Sequence, residues 1–145
     1  MTVDPRTLGW LQRALAHEMS AAQQYLAQSV LARLWGETAL ADELQREAHE
    51  ELHHAQRLMQ RLIELGRVPA AGSVATARLG RNAEELWQAN RQLELEAVQL
   101  YGEAFAHAQR VRDAVSAALL HDILQAEAAH LSGIDLVLTQ GVHDD

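Results

Sequence analysis

Glu18 precedes Glu51 by 33 residues, Glu94 precedes Glu127 by the same 33, and His54 and His130 each follow their glutamate by three. Chemistry that recurs at equal spacing marks a duplicated unit, so the chain must place two matching halves against one another. An offset of three sets Glu51 with His54, and Glu127 with His130, on neighbouring turns of one helical face, where each pair can grip a single ion.

The rest of the chain supplies the helices that this spacing needs. Ala, Leu, Glu and Gln dominate the long stretches, aromatics make up only 4%, and the two prolines and eight glycines fall mostly at their edges. Asp4-Pro5 reads as an N-cap with proline at the first helical position. Leu8, Leu11, Leu15, Ala22, Leu26 and Val30 then mark one face as far as Trp35-Gly36, which predicts a first helix over 5–34. After a turn through Gly36 to Thr38, a second helix carries Leu44, Leu58, Leu62 and Leu65 and stops at Gly66. Asn82 and Glu85 resemble a capping box that opens a third helix through Leu86, Leu93, Ala97, Tyr101 and Ala108. A turn near Arg110 to Asp113 separates it from a fourth, marked by Leu120, Ile123, Leu124, Leu131, Ile134 and Leu138 and ending before Gly141.

The connections fix the expected topology. Arg67 to Gly80 contains Pro69, Gly72 and Ser73; fourteen extended residues reach about 46 to 50 Å, and a helix of about 28 residues is about 42 Å long. That stretch can travel the length of a bundle, whereas the first and third connections are short enough for antiparallel hairpins. The expectation is an all-α four-helix bundle, two antiparallel hairpins joined by one long crossover, forming a single domain over 1–145.

Phase decides whether the repeated residues point inward. Glu51 continues the row Leu44, Leu58, Leu65; Glu18 lies between Leu15 and Ala22; Glu94 sits one heptad from both Trp87 and Tyr101; Glu127 lies between Leu120 and Ile134. Charged groups on four apolar stripes are costly unless paired. Four carboxylates and two imidazoles balance two divalent cations, and the arrangement resembles the known dimetal signature of ferritin-like bundles, so Glu18, Glu51, His54, Glu94, Glu127 and His130 form the candidate metal set, with Glu51 and Glu127 chosen as bridges because each shares its helix with a terminal histidine. Tyr25, one heptad after Glu18, could hydrogen-bond a ligand carboxylate or donate an electron, or be a core tyrosine with a satisfied hydroxyl. Tyr101 stands in the same relation to Glu94. His17 flanks the set.

Composition limits the alternatives. The absence of cysteine excludes thiolate metal sites and disulfides. Twelve Arg and no Lys against 20 Asp and Glu give a net charge of -8, which argues against nucleic-acid binding and favours cations. No apolar run approaches the roughly 18 residues of a membrane span, and Met1 to Pro5 lacks a leader pattern, so the expectation is no membrane association and a cytoplasmic location. His49-Glu50-Glu51-Leu52-His53 also reads as the H-E-x-x-H of a zinc hydrolase, but His49 aligns with Asp42 and Gln56, and His53 with Arg46 and Gln60, which is a polar face. A metal-free helical interaction module is the rival from another class.

Taken together, Glu18, Glu51-x-x-His54, Glu94 and Glu127-x-x-His130 resemble the bacterioferritins of the ferritin-like superfamily, a likeness that extends over nearly the whole chain to Trp35-Gly36, His54-Ala-Gln-Arg57 and Leu93-Glu-Leu95. The resemblance implies a dinuclear ferroxidase oxidising Fe(II) to Fe(III) with dioxygen or peroxide at two iron ions, in a homo-oligomer of at least two subunits, with iron storage. Manganese suits the same ligands. Two departures accompany the likeness. The family's haem methionine is matched by Leu52, which has no donor atom, so no haem is expected. The family's short fifth helix is matched only by Val142 to Asp145, which makes a small non-cage diiron or dimanganese oxidase or peroxide scavenger the alternative.

Overall fold

The computed structural model describes residues 3–141; the stretch where a fifth helix was sought, 142–145, lies outside them. Four helices form an all-α bundle: α1 Pro5–Leu34, α2 Thr38–Glu64, α3 Ala83–Arg110 and α4 Ala114–Gln140. Helices α1 and α2 pack along each other, as do α3 and α4, and α1 lies beside α3 across the hairpins. This is the expected pair of hairpins with one long crossover.

Caps set the helix ends. The Asp4 carboxylate accepts the Thr7 backbone N–H at 2.9 Å and the Thr7 hydroxyl at 3.0 Å, with Pro5 opening the first turn. Asn82 caps α3 by accepting from Glu85 N at 2.9 Å, but the return bond of the box lands one residue early: Glu85 accepts from Arg81 N at 2.8 Å and also pairs with the Arg81 guanidinium. Asp113 caps α4 through Ser116 N and Ser116 Oγ and accepts from Arg61 Nη2 of α2 at 3.0 Å, which ties the two hairpins together at that end.

The crossover is laid along α1 by side chains of that helix. Gln12 accepts from Ala70 N at 3.1 Å, Ser20 from Ala75 N at 2.9 Å and Gln24 from Arg78 N at 3.2 Å, while Gln28 donates to the Arg78 carbonyl at 2.8 Å. These bonds satisfy backbone groups that no strand or helix satisfies. At its far end Gly80 has φ +86°, and a Cβ there would meet Leu86 N at 2.8 Å, so the chain turns into α3 where only glycine fits.

This arrangement corrects the first helix's apolar stripe. Leu26 and Val30, expected on the core face, are 49% and 58% exposed, and Tyr25, Gln28, Ser29 and Ala32 are buried instead. Steps of four residues overshoot a full turn by about 40° each, so the row Ala22, Leu26, Val30 rotates off the core while Ala22, Tyr25, Ala32 stays on it. Leu34 and, on α2, Leu52 are exposed as well.

Two apolar clusters divide the interior. One gathers Leu11, Leu15, Leu58, Leu62, Tyr101, Leu120 and Ile123; the other gathers Tyr25, Leu44, Leu86, Trp87, Leu93 and Ile134. On each helix the repeated acidic residue falls between the two, so the bundle packs tightly on either side of a polar middle layer. No helix among the described residues is long and apolar enough to cross a membrane.

Candidate metal centre

All four repeated glutamates, Glu18, Glu51, Glu94 and Glu127, are 0% exposed, and His54 is 5% exposed. Each reaches the interior from the middle of a different helix, with the two Glu-x-x-His pairs on α2 and α4 and the single glutamates on α1 and α3. Side chains of Glu18, Glu51, His54 and Glu127 place donor atoms within 4.8 Å of one another, and so do those of Glu51, Glu94, Glu127 and His130. The two groups share Glu51 and Glu127.

Hydrogen-bond accounting separates the four carboxylates. Tyr25 donates to Glu94 Oε1 at 2.6 Å and Tyr101 donates to Glu18 Oε1 at 2.6 Å. Glu94 Oε2 and Glu18 Oε2 have no partner, and neither oxygen of Glu51 or Glu127 has one. The Nδ1 atoms of His54 and His130 are also buried without a partner. His54 Nδ1 lies 3.0 Å from Glu127 Oε1, 3.7 Å from Glu18 Oε1 and 3.8 Å from Glu51 Oε1, with none aligned as a hydrogen bond. His130 Nδ1 lies 3.6 Å from Glu51 Oε1 and 3.9 Å from Glu94 Oε1. Buried polar atoms are nearly always paired, and stranding so many in one place costs several kcal/mol per ion unless something else neutralises them.

Without a metal, protons are the available counter-charge, and the groups share them unequally. Burial, joined by the Glu18 charge, holds the Glu51 carboxyl well above the ordinary range. Burial, then the neighbouring Glu127, pushes Glu94 up to about 11. Burial disfavours the charged His54 ring, but Glu127 and Glu18 beside it outweigh that and carry it to about 10. Burial would also raise Glu127, yet the protons of Glu94 and His54 facing it bring it down to about 2. Four equivalent raised carboxyls, the simple outcome of burial and mutual repulsion, are therefore not what the site holds: Glu127 is the anion that Glu94 and His54 face.

The outer edge brings in residues that sequence reasoning passed over. His130 Nε2 lies 2.7 Å from Glu50 Oε2 and 3.4 Å from Glu47 Oε2, so the two acids of α2 meet the histidine of α4. Periodicity along one helix gives no sign of such a partner. A cavity of about 180 Å³ opens beside them, lined by Tyr25, Glu43, Glu47, Trp87, His130 and Ile134 among others. His49 and His53 are exposed, so the H-E-x-x-H register points to solvent. His17 lines a different cavity under the crossover with Ser20, Gln24 and Thr76.

A model of the ferritin-like domain matches residues 9–141. The chain is similar to the bacterioferritin of Brucella melitensis, at 33% identity over 97% of this chain and 85% of that protein. It is similar as well to the bacterioferritins of Mycobacterium leprae, at 28% over 95% and 87%, and of Streptomyces coelicolor, at 29% over 95% and 83%.

Proposed function

The chain belongs to the ferritin-like family, as a relative of the bacterioferritins, and from that premise we propose that it is a ferroxidase that takes Fe(II) as substrate at a dinuclear centre. The observation that carries this reading is the set of buried, unpartnered donor atoms on Glu18, Glu51, His54, Glu94, Glu127 and His130. Six oxygen and nitrogen ligands, with no sulfur, suit iron and equally manganese.

The residues divide the work by how many oxygens each has free. Glu51 and Glu127, with both oxygens unpartnered and membership in both donor groups, fit bridging positions; Glu18 and Glu94, each with one oxygen held by a tyrosine, fit terminal ones. His54 and His130 complete the two ends. Bound Fe(II) supplies the electrons that reduce dioxygen or peroxide and leaves as Fe(III). The protons held on Glu51, Glu94 and His54 leave as cations arrive, because a ligand must shed its proton to bind. Glu43 and Glu47 give the adjoining cavity an acidic wall that attracts cations toward His130, and Tyr25 reaches both that cavity and Glu94.

Two further parts of the reading follow from the relatives and the surface. Iron storage comes from the kinship with bacterioferritins. A homo-oligomer of at least two copies comes from the same kinship, and the exposed Leu26, Val30 and Leu34 of α1, which line one shallow hollow, offer apolar surface for a second copy to cover.

Stopped-flow absorbance on anaerobically loaded protein tests the function. Glu51→Ala and His130→Ala should each abolish fast Fe(II) oxidation while circular dichroism keeps the helical signal. Wild-type rates in either variant would remove the proposed centre.

A further inference from the structure

Tyr25 and Tyr101 are the only tyrosines in the chain, and both bury their rings beside the centre, at 1% and 0% exposure. Each follows a glutamate of its own helix by seven residues, yet each serves the glutamate of the other helix: Tyr25 on α1 donates to Glu94 on α3, and Tyr101 on α3 donates to Glu18 on α1, both at 2.6 Å. In both carboxylates the hydroxyl takes Oε1 and leaves Oε2 buried without a partner. A phenol packed only for its bulk needs any acceptor at all. Here the acceptors are the two glutamates that lack a histidine three residues on, while Glu51 and Glu127, which have one, receive no hydroxyl.

We infer that Tyr101 is a positioning residue that fixes the Glu18 carboxylate through Oε1 beside His54 and leaves Oε2 as its one oxygen without a protein partner, as Tyr25 fixes Glu94 through Oε1 beside His130. The inference rests on the dimetal reading and adds to it the reason why the two ends offer matched donors. A carboxylate free to swing can give both oxygens to one ion and fill a position that a substrate needs. Swinging Glu18 would strand the buried Tyr101 hydroxyl, a penalty that opposes the motion. The reciprocal bonds also lock α1 and α3 in register at the depth of the centre.

Cobalt(II) is the probe, because its d–d absorption reports coordination without turnover. Wild-type protein should take up two cobalt ions per chain. In Tyr101→Phe one of the two should bind 10-fold or more weakly, within the range that partners of metal ligands command, with altered d–d intensity, while the other keeps its affinity. Glu18→Ala and the double variant complete a cycle: a residue acting through Glu18 adds nothing once the carboxylate is gone, whereas a packing effect persists. On wild-type protein, ultraviolet resonance Raman should retain the strong-donor signature of both tyrosines after cobalt loading, a measurement that needs no variant to fold. Unchanged affinity and spectrum in Tyr101→Phe, additivity in the cycle, or loss of the donor signature on loading would each overturn the positioning role. Wild-type protein that binds no cobalt would overturn the dimetal reading together with it, so the two failures are told apart by the unmutated protein.

Discussion

His130 faces two ways: its Nε2 meets Glu50 at 2.7 Å on the bundle's edge, and its Nδ1 turns inward, 3.6 Å from Glu51. A carboxylate that accepts from one ring nitrogen leaves the other as a lone pair aimed at the centre, and it fixes the plane of the ring. Glu50 is therefore expected to matter although it lies outside the donor set. Glu50→Ala should leave the helical signal unchanged and weaken binding of one cobalt or zinc ion about 10-fold. Competition titration against a chelator measures it, and wild-type affinity for both ions would show that Glu50 leaves the ring unconstrained.

The register of α2 makes a second prediction. His53 is exposed and His54 is buried against Glu127 and Glu18. Metal stoichiometry should be unchanged in His53→Ala and should fall in His54→Ala. A larger loss in the His53 variant would revive the H-E-x-x-H reading of the same stretch.

Acidity and metal should act on stability in opposite senses. Glu94 is raised from 4.5 to about 11 and His54 from 6.5 to about 10, so the folded state keeps protons that the unfolded state releases. That contribution is whole below the unfolded values and drains away as pH climbs toward the folded ones. Glu127, lowered from 4.5 to about 2, has the opposite sign, and its contribution is lost only as pH falls through that lower window. Chelated protein should therefore melt at progressively lower temperature from about pH 5 to about pH 8. Cations bind the native state and replace the protons, so the gap between loaded and chelated protein should widen over the same range. Melting curves at several pH values decide it; a gap that is absent at neutral pH would mean that the glutamates do not act as one site.

At the far end of the bundle, Asp113 offers a test free of the centre. Burial works against its charge, but hydrogen bonds from Ser116 and the Arg61 guanidinium outweigh it and hold the carboxyl below its ordinary 3.8. Such a group stabilises the fold above the unfolded value and ceases to as pH falls through the folded one. Asp113→Asn keeps a good N-cap and removes the charge, so the loss at pH 7 should be under about 1 kcal/mol for a partly exposed pair. Urea unfolding should show that difference vanishing in strong acid; a difference that survives there would assign it to the cap instead.

Much of this is legible in the sequence because helices convert spacing into direction. The equal intervals between Glu18 and Glu51 and between Glu94 and Glu127, and the apolar neighbours of each, are enough to aim all four inward. What periodicity cannot give is the partner across a gap. Tyr101 stands in heptad relation to Glu94 but bonds Glu18, and Glu50 reads as part of a polar face until α4 brings His130 against it. The second half of α1 misleads for a related reason: Leu26 and Val30 are the conspicuous residues, but the crossover buries Gln24 and Gln28 by giving their amides backbone to bind. Hydrophobicity ranks residues singly, whereas burial is decided by what lies opposite.

The pinned crossover has a consequence for how the chain meets a protease. A stretch of some 18 residues without helix or strand, mostly exposed, has the look of a cleavage site. Proteases, however, bind their substrates as extended strands that must peel away from the body of the protein. Here the backbone N–H groups of Ala70, Ala75 and Arg78 are each engaged by α1, at intervals too short to free a long segment without breaking one. The longest connection of the fold is thereby its guarded seam, and a nick there requires α1 to let go first.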